Sequence, residues 1–90
     1  MNKQRRKEIQ AIRDKLEDLT SKIAELRDGL DTIKDDEQEY YDNMPESLQS
    51  SDRGTAAEEA VSHLDTALEA LDEIANQASE ATEALDSAMA

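Results

Sequence analysis

The sequence has no cysteine, tryptophan or phenylalanine, and only one proline, two glycines and two tyrosines among its 90 residues. Without cysteine no disulfide holds the chain, which fits a reducing cytoplasm. Without tryptophan and phenylalanine, no large aromatic core forms. Apolar runs are short, so no transmembrane helix is expected. The basic start Met1-Asn2-Lys3-Gln4-Arg5-Arg6 is followed by no apolar segment and does not read as a signal peptide. Positive charge is scarce beyond residue 34. Residues 1–34 hold nine of the ten Lys and Arg against seven acids, a net +2, whereas residues 35–90 set Arg53 alone against sixteen acids, a net −15. The total of −13 argues against general affinity for nucleic acid or an anionic membrane surface.

What is present is periodic, and the period is helical. Ile9, Leu16, Ile23 and Leu30 at heptad position a, with Ile12, Leu19, Leu26 and Ile33 at d, alternate in steps of three and four. Tyr40 continues the d register. The pattern predicts a helix over about 3–42, stable only against a partner because its apolar seam is narrow. A second pattern runs over about 55–89. Ala57, Val61, Leu64, Leu68, Leu71, Ala75, Ala78, Leu85 and Met89 occupy its a and d positions, with Thr82 the one polar interruption. Ala60, Ala67, Ile74, Ala81 and Ala88 add an apolar g row.

Between the patterns, residues 43–54 read as a turn. Pro45 stops the first helix, because the residue before a proline avoids the α region. A short helical turn is expected over Pro45–Gln49, with Met44 and Leu48 folding over the end of the rod. Thr55 and Glu58 form a capping-box pattern that starts the second helix, with Ser51 as a competing start. The expected fold is all-α: an antiparallel, coiled-coil-like helical hairpin in a single domain, assembling into a four-helix bundle or larger oligomer.

The charges support the antiparallel arrangement. In such a pair e faces e and g faces g, which sets Arg13, Arg27 and Lys34 against Glu58, Asp65, Asp72 and Asp86. The other edge carries Lys15, Lys22 and Gly29 on one helix and Ala60, Ala67, Ile74 and Ala81 on the other. That edge is expected to bury itself in self-association, with Gly29 allowing close backbone approach. A host protein's helix is the alternative occupant.

No pattern for catalysis, a metal or a cofactor is visible. His63 falls on the outer c position without the spacing of a di-iron bundle. Asp35-Asp36-Glu37 lacks the spacing and glycine of a calcium loop. Ser47, Ser50 and Ser51 have no neighbouring base. The candidate binding residues are Tyr40, Tyr41, Asn43 and Arg53 in the turn, where aromatic faces, an amide and a lone guanidinium can grip a planar anionic ligand. Arg5, Arg6 and Lys7 form a basic cluster at the helix start that can hold phosphates if ends meet in an oligomer.

The stretch Tyr40-Tyr41-Asp42-Asn43-Met44-Pro45-Glu46-Ser47-Leu48-Gln49-Ser50-Ser51, followed by Arg53-Gly54, resembles a group of small helical proteins of tailed bacteriophages and prophages. The likeness covers about a third of the chain. It implies a phage origin and action in the bacterial cytoplasm, and no particular activity. With that resemblance, the expected function is a non-enzymatic anti-defence protein that sequesters a nucleotide-derived immune signal. The alternatives are an acidic protein-binding inhibitor, acting as a DNA mimic or on a host factor, and a structural assembly accessory.

Overall fold

The computed structural model describes Met1–Ala90 in full. It contains α1 (Lys3–Asp42), α2 (Glu46–Gln49) and α3 (Asp52–Met89), and no strand. α1 and α3 pack side by side along a rod of 68 × 15 × 14 Å, and α2 closes one end. This is the all-α hairpin that the heptads predict.

α1 begins where the Asn2 side chain accepts the Arg5 backbone N–H at 2.8 Å, satisfying one free donor of the first turn. It ends at Asp42, after which Asn43 N–H donates to the Glu39 carbonyl at 3.0 Å and Pro45 turns extended at φ −58°, ψ 150°. α2 is a single turn whose last residue fastens the corner. The Gln49 amide donates to the Tyr41 carbonyl at 3.1 Å, a second bond to an oxygen near the end of α1 that also accepts the Met44 N–H at 3.1 Å.

α3 starts earlier than the Thr55 capping box predicts. Ser51 is the N-cap, at φ −85°, ψ 174°, and Asp52 opens the first turn. Thr55 is already helical, and its N–H donates to the Ser51 carbonyl at 2.9 Å. The competing start prevails because an extended serine and an acidic first turn suit a helix N-terminus, and because Gly54 lets that turn approach the corner. A Cβ on Gly54 would lie 2.2 Å from the Gln49 carbonyl oxygen. Gly54 is therefore a steric requirement of the turn. Met44 folds inward as expected, whereas Leu48 remains 40% exposed.

The inner seam departs from a simple a/d interface. Ile23 and Leu68 are buried at mid-rod, with Ala57 and Ala78 on either side of Leu68 in α3. The d residues of α1, expected in the seam, are instead turned outward: Ile12, Leu19, Leu26, Ile33 and Tyr40 are exposed by 55, 48, 61, 55 and 47%. One helix partner covers only one sector of another helix, and here that sector is a plus e. The e row lies against α3, where its cations are ion-paired. Arg13 binds Asp86 and Arg27 binds Asp72, each at 2.5 Å, and Lys34 pairs with Asp65. These are three of the pairings that the antiparallel register predicts, one or two heptads apart. Rotation toward this edge exposes the other.

The resulting core is thin. Only six of the 90 residues are buried, against two helices whose backbones must all be ordered.

Candidate functional site

The corner gathers most of the predicted turn site. Tyr40, Asn43, Met44, Pro45, Leu48 and Arg53 surround a shallow concavity of about 270 Å³. The end of α1 supplies Tyr40, the cap supplies Asn43, and the first turn of α3 supplies Arg53. Three of the four predicted turn residues thus share one wall, over a small apolar floor.

Tyr41 does not join them. One residue further round α1, it falls on the e edge, half-buried beside Glu58. The hydrogen bond to that carboxylate, aided by partial burial, raises the phenol above its ordinary pKa. Tyr41 therefore fills the last e–e rung, where α1 has no basic residue to meet Glu58. It lies outside the wall that Tyr40, Asn43 and Arg53 share.

Arg5, Arg6 and Lys7 are exposed in the first turns of α1, at the opposite end of the 68 Å rod. Within one chain they cannot reach the turn concavity. The two ends also differ in charge. Residues 35–59 at the turn end hold nine acids against Arg53, a net −8, while residues 1–13 with 86–90 hold five basic residues against two acids, a net +3.

A second depression, of about 550 Å³, lies on the ion-paired edge around Thr20 and Ser79, where short side chains interrupt the rungs. Its border includes Arg13, whose guanidinium is already bound to Asp86 and to Glu17 at 2.7 Å. Its lining is entirely polar, so water fills it well. No group of three or more His, Cys, Asp or Glu side chains is placed to hold a metal ion. His63 is exposed, and no helix is long and apolar enough to cross a membrane.

The edge expected to self-associate lies largely open in the hairpin. Lys15, Lys22, Gly29, Ile74 and Ala81 are exposed, and Ala60 and Ala67 are half-buried. A Cβ on Gly29 would meet nothing within 4 Å, so the close approach expected there is not made inside the hairpin. The main apolar surface on this edge is the d row of α1, which sequence periodicity had assigned to the inner seam. Its repeat is legible in the sequence, but the rotation that exposes it and brings the e-edge ion pairs together is not.

No protein-family model, curated protein or solved structure matches this chain.

Proposed function

We propose that the protein is a non-catalytic binding protein whose turn end sequesters a small nucleotide-derived signal, as a phage protein would do against a bacterial defence in the host cytoplasm. The observation that carries this reading is the shared wall of Tyr40, Asn43 and Arg53. The tyrosine ring offers a stacking face for a base, the Asn43 amide offers a donor and an acceptor, and the Arg53 guanidinium offers a fork for phosphate. Arg53 is the only basic residue after position 34, so an anionic ligand at the turn end has one cation to find in this chain.

A thermal-shift panel of cyclic dinucleotides and ADP-ribose derivatives tests the reading. A ligand at 100 times its Kd stabilises the folded form by about 2.7 kcal/mol. Tyr40→Ala and Arg53→Ala are expected to abolish the shift without changing helicity. An unchanged melting temperature across the panel would overturn the reading. A second reading, inhibition of a host protein through helix docking, is favoured by the exposed d row of α1, since amphipathic helices bind through apolar rows of this kind.

A further inference from the structure

The exposed d row of α1 lies on the same edge as the g row of α3. The Arg27–Asp72 rung places Leu26 and Ile74 at nearly the same height on the rod. Leu26 is the midpoint of its row, with Leu19 and Ile33 one heptad away and Ile12 and Tyr40 two heptads away. Ile74 is the midpoint of the other, with an alanine one and two heptads away on each side. Both rows therefore read similarly in either direction from a common centre. A two-fold interface needs that property, because the same patch must meet itself.

We propose that this face is covered by a second copy of the chain, running antiparallel, with the two-fold axis passing beside Leu26 and Ile74. Two observations select this occupant and this direction. The first is area. A face of 68 × 15 Å presents on the order of 1,000 Å² per copy, so pairing covers about 2,000 Å² in total, ample for a stable dimer. The second is charge. A dimer with both turns at one end would stack two ends of net −8, whereas the antiparallel dimer sets each beside the +3 end of the other copy. In this alignment α1 lies along α1, with Ile12 opposite the partner's Tyr40. Lys15 then meets Asp36 of the partner subunit across the g edge, and Gly29 lies beside the partner's flexible Lys22.

The alignment has a consequence for the turn end. Arg5 is one heptad before Ile12 and so lies on the same row of α1. In the dimer it reaches the partner's Pro45 and Leu48, two residues of the turn concavity. Each concavity then holds Arg53 from its own chain and Arg5 from the other. This second point rests on the turn-end binding reading, and the dimer itself does not.

Because the chain has no cysteine, introduced thiols report only themselves. Ile12→Cys and Tyr40→Cys proteins, mixed and treated with a short bis-maleimide, are expected to give mainly mixed 12–40 dimers, and Leu26→Cys alone is expected to couple to itself. Predominant 12–12 and 40–40 products, or none with a 10.0 kDa species in solution, would overturn the proposal. So would a free single chain that pairs only with another protein's helix. These reactions need no nucleotide, so failure of the ligand reading leaves them unaffected. Arg5→Ala is expected to keep the dimer mass and weaken binding of a shifted nucleotide about ten-fold. Unchanged nucleotide affinity would remove Arg5 from the site.

Discussion

The two long edges of the hairpin use opposite chemistry. On the e edge, Arg13, Arg27 and Lys34 meet Asp86, Asp72 and Asp65, and Tyr41 meets Glu58. On the d/g edge, Ile12, Leu19, Leu26, Ile33, Tyr40 and Ile74 stand in water beside alanines. The pairings on the ion-paired edge match the antiparallel direction and the rotation in which e faces e. That edge supplies little stability, because its charges stay solvated and screened. The apolar edge holds the larger reservoir of hydrophobic free energy, and one hairpin leaves it unused. The two edges thus carry different chemistry, and each can be altered separately.

The largest expected effect comes from the apolar edge. Leu26→Glu puts a charge at the centre of the proposed dimer face, where burying an unpaired carboxylate is costly. It is expected to raise the dimer dissociation constant by at least about a hundred-fold, near 2.7 kcal/mol, measured by sedimentation equilibrium. The same substitution should leave the direction of the hairpin unaltered. Loss of all helical signal without prior dissociation would mean that Leu26 belongs to the inner seam.

Next are the glycines, which separate the corner from the open edge. Gly54→Ala forces a Cβ against the Gln49 backbone and is expected to destabilise the fold by roughly 1–3 kcal/mol in urea unfolding. Gly29→Ala meets open space and replaces a poor helix former, so it is expected to stabilise by about 1 kcal/mol. Loss of stability at position 29 would place a partner backbone, rather than the flexible Lys22 side chain, against it.

Much of this was legible in the residues. The steps of three and four fixed the two long helices, Pro45 fixed the corner, and the opposed charges at e predicted three ion pairs. The rotation was not legible. An a/d heptad implies that both rows are covered, but not that α3 covers a and leaves d exposed. The steric demand at Gly54 is not legible either, since it arises from a contact with the Gln49 backbone made only once the corner has folded. The turn concavity was half legible. The residue types were visible, but Tyr40 and Tyr41 are successive residues, and the helix sends them to different edges.

Smaller effects are expected on the ion-paired edge. Arg27→Ala should lower the melting temperature only slightly, and Arg27→Asp with Asp72→Arg should recover it; failure of the swap to recover would contradict the register. The edge also has a pH signature. The Tyr41 phenol is raised by its hydrogen bond to Glu58, so its contribution is fully present below the unfolded tyrosine pKa of about 10 and is lost as pH rises through the folded value. Ultraviolet titration should show a late tyrosinate step that Tyr41→Phe removes. The variant's stability should also fall less between neutral and strongly alkaline pH than that of the native protein.

The central claim is that the apolar edge is an interface between copies, and the mass in solution tests it most directly. Multi-angle light scattering at micromolar concentration and moderate salt should give about 20 kDa, twice the 10.0 kDa of one chain. A mass of 10.0 kDa that persists as concentration rises would contradict the claim.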